Sequence, residues 1–277
     1  MELKVLINGN LDNSNYIKLL EYSFSKIKVI KFEKNGNFEK PDLVLFIGGE
    51  DVDPKYYRHS KNSKTGSNIK RDDFEYSMYN YSRTYNIPCL GICRGSQFLT
   101  VMNGGKLFQH VTNHTKDHLI SVNKKYFPNK KKEVILNQQI NPGIHDQLIR
   151  GLGLEERFRV QAEQIVERTL NDNSIFNEMN LVEIEVTSTH HQMMNPYNLK
   201  DDAYEIIGFS TYYQSDVYEE ALPISLNDKK YEKFVEPEIV FYKSTKSLAI
   251  QGHPEFKHST DEFKELTLEL INKLLIK

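Results

Sequence analysis

The chain has 277 residues, 27% of them charged, and a formal net charge of −2. A near-neutral balance gives no electrostatic argument for a nucleic-acid partner, which would need a basic patch. The two cysteines, Cys89 and Cys93, are too few for a disulfide framework, and their spacing matches neither a redox nor a zinc motif. No stretch approaches the roughly 18 apolar residues that a membrane helix needs. We therefore expect a cytoplasmic protein without membrane association.

Short apolar runs alternate with helical patterns along the chain. Runs without polar alternation are typical of parallel strands that helices cover on both faces. The predicted strands are Leu3–Asn8, Ile27–Phe32, Leu43–Ile47, Ile87–Ile92, Tyr204–Ser210, Ile239–Tyr242 and Leu248–Gln251. The predicted helices are Asn15–Phe24, Arg71–Tyr85, Gly95–Met102 and Asp261–Leu275. This succession predicts a doubly wound α/β fold with a mostly parallel sheet and helices on both faces.

The chain has no internal repeat and no linker rich in proline, glycine or serine. We therefore expect residues 1–277 to form a single domain. Tyr212–Glu236 is rich in charge and tyrosine but has no firm period, so we interpret it as an insertion within that domain. Loops at the carboxyl ends of strands shape the site in an α/β fold, which makes this segment a candidate wall of the site.

The strongest chemical signal is the sequence Gly91-Ile92-Cys93-Arg94-Gly95, where an apolar strand runs into a helix. This is the nucleophile-elbow pattern with cysteine in place of serine. The glycines leave room for a strained turn, and the helix N-terminus favours a thiolate at Cys93. The backbone N–H of Arg94 is placed to stabilise an oxyanion. Taken alone, the motif fits a buried structural cysteine equally well.

Two further motifs follow predicted strands. His253 and Glu255 are two residues apart, so in extended backbone their side chains point to the same side, with Pro254 restricting the backbone between them. One can serve as general base while the other orients its imidazole, as in a catalytic triad. Gly48 and Gly49 can present N–H groups for the other half of an oxyanion hole, although a plain turn is the simpler interpretation of that pair alone.

Several of these segments, in chain order, resemble the class I glutamine amidotransferase-like superfamily. Within it, the chain is most similar to the γ-glutamyl-γ-aminobutyrate hydrolase and γ-glutamyl hydrolase (peptidase C26) group. The segments that carry the resemblance are Gly91–Gln97, Asn103–Gln109, His190–Gln192, Gln251–Glu255, Gly48–Pro54 and the Arg71-Asp72-x-x-Glu75 start of a helix. The resemblance implies a flavodoxin-like fold. It also implies a reaction that needs neither a cofactor nor a metal.

The resemblance also implies a reaction. Cys93 would attack the γ-carbonyl of a glutamyl amide and form a thioester, an amine or ammonia would leave with His253 as acid, and water would then release glutamate. Glu255 would orient His253. The implied oxyanion-hole residues are Gly49 and Arg94, and the implied substrate-binding residues are Gly48, Gln97, His191 and Gln192.

Three functions stay open at this point. The first is a stand-alone hydrolase acting on a small γ-glutamyl compound. The second is a glutaminase component that acts on glutamine and supplies ammonia to an ATP-dependent synthetase, with Met193–Pro196 or the 212–236 insertion as docking surface. The third is a non-catalytic binding module on the same fold. A homodimer is a further partner that the sequence leaves open.

A histidine series is a candidate metal site. His110, His114 and His118 are spaced by four and could line one face of a helix. However, Leu119–Val122 is typical of a strand, and no cysteine or carboxylate clusters with these histidines in the sequence. We therefore expect a loop that leads into a strand, and no metal.

Overall fold

The computed structural model describes residues 2–33, 38–128, 181–222, 224–225, 231 and 234–276. Its helices are α1 (Ser14–Glu21), α2 (Ile69–Thr84), α3 (Arg94–Met102) and α4 (Asp261–Leu274), with one short 3-10 helix at Pro54–Tyr57. Its strands are β1 (Glu2–Ile7), β2 (Lys26–Lys31), β3 (Leu43–Phe46), β4 (Cys89–Ile92), β5 (Lys106–Phe108), β6 (His110–Val111), β7 (His118–Asn123), β8 (Leu181–Val186), β9 (Met193–Asn195), β10 (Tyr204–Ser210), β11 (Tyr218–Glu219), β12 (Pro237–Tyr242) and β13 (Ser247–Ile250). Within these residues, no helix combines the length and the apolar character needed to cross a membrane.

One large sheet organises the described residues. Its strand order is β2-β1-β3-β4-β13-β12-β10-β7-β8. The pairings from β2 to β13 are parallel, and those from β13 to β8 are antiparallel, so that β12 and β7 run opposite to the other strands. This arrangement confirms the flavodoxin-like α/β class that the sequence predicted.

Two predicted strands pair differently from the expectation. The sequence predicts parallel strands at Tyr204–Ser210 and Ile239–Tyr242, but the two pair antiparallel with each other. The second also pairs antiparallel with β13. The physical reason is that β12 is buried along nearly its whole length. Burial on both faces produces the same apolar run whichever way the neighbouring strand points.

Helices cover both faces of the sheet. Side chains alternate along each strand, so Val5 points to one face and Leu6 to the other. Val5 belongs to a core cluster that includes residues of α1 and α4, whereas Leu6 belongs to one that includes residues of α2 and α3. The α4 helix supplies Phe263 and Leu266, both fully buried, to the first cluster. The two-faced coverage predicted from the sequence is therefore confirmed.

The segment after α3 is built from short strands. The predicted loop leading into a strand is confirmed, because β6 and β7 occupy the region of His110 and His118. Strand β8, which was not predicted, pairs antiparallel with β7 at the sheet edge. Residues 129–180 lie outside the described residues.

The described part of the 212–236 segment packs on these short strands. Strand β11 pairs with β6. A hydrophobic cluster rich in aromatic residues then joins the two regions; its buried members are Phe108, Val111, Met193, Tyr218, Tyr231 and Phe234. The segment therefore folds through aromatic packing, which has no period in sequence. That it is an insertion, and that the chain forms one domain, stay predictions.

Met193–Pro196 was proposed as a docking surface, and this proposal is wrong for the folded chain. Met193 and Met194 are fully buried, and β9 pairs with β5. Asn195 and Pro196 are buried as well. An apolar sequence that ends in a turn can face either a partner or the protein's own core, and only the tertiary structure distinguishes the two.

The core contribution of α4 can be measured. Leu266 is fully buried, so Leu266→Ala should lower the free energy of unfolding by about 2–5 kcal/mol through lost burial and a residual cavity. Leu222 is 76% exposed, and Leu222→Ala is the control, with an expected change within about 0.5 kcal/mol. Urea unfolding followed by circular dichroism measures both. Equal losses in the two variants would contradict this packing of α4.

Candidate active site

Cys93 occupies the predicted elbow between β4 and α3. Its backbone has φ 52° and ψ −114°, a strained conformation for a residue other than glycine. A Cβ atom at Gly91 would lie 2.3 Å from the carbonyl oxygen of Gly95, and a Cβ atom at Gly95 would lie 2.1 Å from that of Phe46. Both positions therefore require glycine, for the steric reason that the sequence pattern indicated.

His253 reaches this elbow from the loop after β13. Its Nδ1 atom lies 2.7 Å from Glu255 Oε1, and its Nε2 atom lies 2.8 Å from the hydroxyl of Thr189. Its backbone N–H donates to the carbonyl of Thr187 over 2.8 Å. The ring of Phe256 stacks on the imidazole with 4.2 Å between centroids. The imidazole is therefore held from both ends and on one face.

His253 and the Cys93 thiol form a coupled pair. Burial lowers the pKa of His253, but the neighbouring Cys93 and Glu255 outweigh burial and raise the pKa to about 10. The imidazole therefore carries a proton near neutral pH. A protonated imidazole beside sulfur stabilises the thiolate, which is the nucleophilic form of cysteine. The structure thus brings Cys93, His253 and Glu255 together as the sequence predicted.

The two glycines after β3 have different surroundings. The N–H of Gly48 donates to the hydroxyl of Tyr16 over 3.1 Å, so this group is already engaged. Gly49 has φ +137°, and a Cβ atom there would lie 2.0 Å from Arg71 Nη1. Arg71 Nη2 also donates to the carbonyls of Ile47 and Gly48, both over 2.9 Å. Arg71 therefore fixes the strand end that presents Gly49 to the cavity.

Tyr16 is a site residue that the sequence analysis missed. Burial, and then the carboxylate of Glu255, raise the pKa of Tyr16 far above its usual value. Its hydroxyl therefore stays neutral and stands between Glu255 and the N–H of Gly48. No local signal marked Tyr16, because a tyrosine near the start of an amphipathic helix is ordinary.

Arg94 contributes its backbone to the cavity and its side chain to a buried ion-pair network. The guanidinium contacts the carboxylates of Asp72 and Glu75, and Glu75 also accepts from Arg71 Nε over 3.0 Å. Burial raises the pKa of Asp72, and the Arg94 charge opposes this rise. The N–H of Arg94 opens α3 and so has no acceptor within the helix. The Arg71-Asp72-x-x-Glu75 pattern in the sequence is therefore the anchor of the elbow.

A cavity of about 450 Å³ opens beside Cys93. Seven residues predicted for the site line it: Gly49, Cys93, Arg94, Gln97, His191, Gln192 and His253. Charged residues that the sequence analysis did not select also line it: Glu50, Asp51 and Lys64. Gly48 and Glu255 lie behind this cavity wall. Gly48 donates its N–H to the hydroxyl of Tyr16, and Glu255 contacts the imidazole of His253.

The predicted substrate-binding side chains are already engaged in hydrogen bonds. Gln97 Nε2 donates to the carbonyl of Gln192 over 2.9 Å, and Gln192 Nε2 donates to Thr65 Oγ1 over 3.2 Å. Gln192 Oε1 is buried and has no hydrogen-bond partner among the described residues. His191 Nε2 lies 3.2 Å from Asp51 Oδ1, and this contact raises the pKa of His191. Gln192 Oε1 is thus an acceptor available to a ligand.

Thr189 is a second residue that the sequence analysis missed. Its hydroxyl contacts Nε2 of His253, and it lines the cavity. Its position just before His190-His191-Gln192 was a usable signal. Threonine is common at strand ends, however, so only the contact with His253 identifies it.

The buried ion pairs of Arg94 with Asp72 and Glu75 should contribute strongly to the free energy of unfolding. Arg94→Met leaves Asp72 and Glu75 buried without their shared cation, and breaking a buried pair in this way costs about 3–5 kcal/mol. Arg58 is exposed, and Arg58→Met is the matched control, for which we expect a change within about 0.5 kcal/mol. Chemical denaturation measures both variants. An Arg94→Met variant as stable as the control would refute the anchoring role.

The raised pKa of His253 predicts how stability changes with pH. The folded protein holds the proton more tightly than the unfolded chain does. The resulting stabilisation is complete below pH 6.5 and is lost as pH rises toward about 10. The unfolding free energies of the wild type and His253→Gln should therefore differ most near pH 6.5 and converge toward pH 10. Urea titrations at several pH values measure this gap, with exposed His258→Gln as control. A gap independent of pH would contradict the proposed pairing.

Comparisons with known proteins agree with this geometry. The Peptidase C26 family model matches residues 35–206, more than half of the chain. A provisionally named glutamine amidotransferase of Schizosaccharomyces pombe, PB2B2.05, is 34% identical over 125 residues, which are 41% of this chain and 49% of that protein. A glutamine amidotransferase-like protein of Rickettsia prowazekii, RP404, is 29% identical over 163 residues, 55% of this chain and 57% of that protein. The chain spans about half the length of the curated relatives it matches.

Solved structures support the fold. A protein from Thermoplasma acidophilum, provisionally assigned as a GMP synthase subunit, has a TM-score of 0.52 at 15% identity, covering 98% of this chain and 94% of that one. PurLQS from Thermotoga maritima has a TM-score of 0.50 at 11% identity, covering 99% and 100%. At such identities the likeness shows the fold alone. With the family match and the cysteine elbow, we conclude that the chain belongs to the Peptidase C26 family, within the class I glutamine amidotransferase-like superfamily.

Proposed function

We propose that the protein hydrolyses a γ-glutamyl amide bond through a glutamyl-thioester intermediate. The observation that carries the proposal is Cys93 in a strained elbow at the wall of a substrate-sized cavity that His253 also lines, with Glu255 2.7 Å from Nδ1 of that histidine. The names of the matched relatives, which refer to glutamine amidotransferases, support the same chemistry.

In the first step, the Cys93 thiolate attacks the γ-carbonyl carbon, and the carbonyl oxygen becomes an oxyanion. The backbone N–H groups of Gly49 and Arg94 are the candidate donors to that oxygen, since both residues line the cavity beside Cys93. The C–N bond then breaks, and His253 gives its proton to the departing nitrogen. An amine or ammonia leaves, and a thioester joins the glutamyl group to Cys93.

In the second step, water attacks the thioester carbon while the neutral His253 takes a proton from it. The C–S bond breaks, glutamate is released, and the thiolate and the protonated imidazole are restored. Glu255, 2.7 Å from His253 Nδ1, stabilises the imidazolium in each cycle. Thr189 also contacts Nε2 and so restricts rotation of the ring.

The cavity carries charges suited to the α-amino acid end of a glutamyl group. Lys64 can pair with an α-carboxylate, whereas Glu50 and Asp51 can pair with an α-ammonium group. Gln192 Oε1 adds a buried acceptor. We propose that these groups recognise the glutamyl moiety, leaving the amine side to face the cavity mouth.

A glutaminase component of a larger amidotransferase is the second candidate. The names of the matched relatives, which refer to glutamine amidotransferases, fit this candidate as well as the first. With Met193–Pro196 buried, the 212–236 segment is the remaining candidate docking surface. Tyr212 and Leu222 there are 58% and 76% exposed. The non-catalytic alternative is disfavoured, because a binding module needs no assembled triad.

A substrate panel tests the proposal. Purified protein is assayed for glutamate release from glutamine, γ-glutamyl-γ-aminobutyrate and several γ-glutamyl peptides. Turnover of a γ-glutamyl amine or peptide well above that of glutamine would support the stand-alone hydrolase. If no substrate releases glutamate but a glutamine-like electrophile alkylates Cys93, the result would favour a glutaminase that needs its synthetase. The absence of both glutamate release and alkylation of Cys93 would contradict both the stand-alone hydrolase and the glutaminase component.

The two cysteines provide a matched pair of variants. Cys93→Ala should abolish turnover and alkylation while leaving the fold intact. Cys89 is fully buried, and burial raises the pKa of its thiol, so it should be unreactive. Cys89→Ala should keep activity within a few-fold of the wild type, which the same assay measures. The reverse pattern would show that the elbow assignment is wrong.

A further inference from the structure

A buried group of three histidines and two glutamates lies next to the catalytic cavity and takes no part in the proposed reaction. His114 and His118 come from the region of β6 and β7, and His190 from the segment after β8. Glu236 and Glu238 come from the start of β12. One donor atom each from His114, His190 and Glu238 lies within 4.8 Å of those of the other two.

The buried donor atoms of this group are poorly satisfied. Among the described residues, neither nitrogen of His114 makes a hydrogen bond, and neither His190 Nε2 nor Glu238 Oε2 does so. Yet His114 Nδ1 lies 3.2 Å and His190 Nε2 lies 3.6 Å from Glu238 Oε1. Such atoms are close to one another but not aimed at one another. A buried polar atom without a partner is costly, so the arrangement calls for an additional ligand.

The outward-facing nitrogens of His190 and His114 each lie near an oxygen atom that can support a metal-bound imidazole. His190 Nδ1 lies 2.9 Å from the carbonyl of Gln192, and donation to that oxygen leaves a lone pair on Nε2 facing Glu238. His114 Nε2 lies 3.3 Å from Glu236 Oε1 without forming a hydrogen bond, and its Nδ1 lies 3.2 Å from Glu238 Oε1. Glu236 is itself fixed by the hydroxyl of Tyr218 over 2.7 Å. A carbonyl or carboxylate behind a ligating imidazole is the usual support of a metal-bound histidine.

The separations suit a small divalent cation. Donors at about 2.0–2.1 Å from a tetrahedral zinc ion lie roughly 3.3–3.4 Å apart. The two separations from Glu238 Oε1, 3.2 Å to His114 and 3.6 Å to His190, lie on either side of that value. Two imidazoles and one carboxylate are a donor set that zinc accepts.

We propose that His114, His190 and Glu238 bind a zinc ion. His118 Nε2, 3.1 Å from Glu238 Oε1, orients that carboxylate, and a water molecule or Glu238 Oε2 completes the coordination. The proposal replaces the expectation that these histidines bind no metal. The sequence analysis found no carboxylate near them because Glu238 comes from a distant strand. The zinc proposal is independent of the proposed hydrolysis, since His114, His190 and Glu238 have no role in that reaction.

The zinc ion would be structural. His190 lies between Thr189, which contacts His253, and His191 and Gln192, which line the cavity. A bond from zinc to His190 ties this wall to β12 through Glu238. Loss of the ion would loosen the segment that restricts His253 without removing any catalytic group.

A metal-free ion-pair network is the competing account. In it, protonated His114 and His118 would neutralise Glu236 and Glu238. The two accounts differ in metal content, and they also differ in the response of stability to added zinc. Both measurements are made in a Cys93→Ala background, because a cysteine–histidine pair can itself bind zinc.

The Cys93→Ala protein is stripped with dipicolinate and titrated with zinc chloride. We expect one zinc per chain by elemental analysis after desalting and a melting temperature several degrees higher with zinc than without. X-ray absorption should show nitrogen and oxygen ligands with an imidazole signature and no sulfur. Adding Glu238→Gln, which keeps the side-chain shape, should weaken zinc binding at least tenfold, whereas the exposed His258→Asn should bind as the parent does.

Several outcomes would overturn the proposal. Less than about a tenth of an equivalent of zinc in the parent, with no thermal shift, would establish the metal-free network. Unchanged zinc binding in the Glu238→Gln variant would place the ion elsewhere. If that variant fails to fold, the stoichiometry and absorption spectrum of the Cys93→Ala parent decide the question on their own.

Discussion

The ion-pair network around Arg94 is the interaction on which the candidate site depends. Arg94 directly follows Cys93, the proposed nucleophile, and its buried guanidinium joins Asp72 and Glu75 of α2. Glu75 in turn accepts from Arg71, whose other nitrogens hold the carbonyls of Ile47 and Gly48. One network therefore fixes the elbow and the glycine strand end relative to each other. Because both candidate oxyanion donors sit on these two segments, their separation is set by buried charges that cannot move apart cheaply.

The other half of the site is assembled by the antiparallel side of the sheet. His253 leaves β13, and its N–H donates to Thr187, just beyond β8. The segment that follows supplies Thr189 and the cavity wall at His191. His190 of the same segment lies 3.6 Å from Glu238 of β12. The proposed zinc would thus act on geometry in the same way as the Arg94 network, by joining segments that are distant in sequence.

The described residues of the 212–236 segment pack in a way that no periodic sequence pattern predicted. Its described aromatic residues, among them Tyr218 and Phe234, pack edge to face against Phe108 at centroid distances of 5.7 and 5.8 Å. This contact buries Phe108 of β5 and Val111 of β6 together with the described residues Tyr218, Tyr231 and Phe234.

The sequence by itself determined the parts that depend on local chemistry. The apolar run before Gly91-x-Cys93-x-Gly95 predicted the elbow, because only glycine tolerates so close a backbone approach, and His253 with Glu255 followed from two-residue spacing. The sheet class followed from apolar runs alternating with amphipathic helices. Tertiary structure alone decided the antiparallel pairing of β12 and the burial of Met193 and Met194. It alone also placed Tyr16 and Thr189 at the site and Glu238 beside His114, since side chains so distant along the chain meet only when the sheet forms.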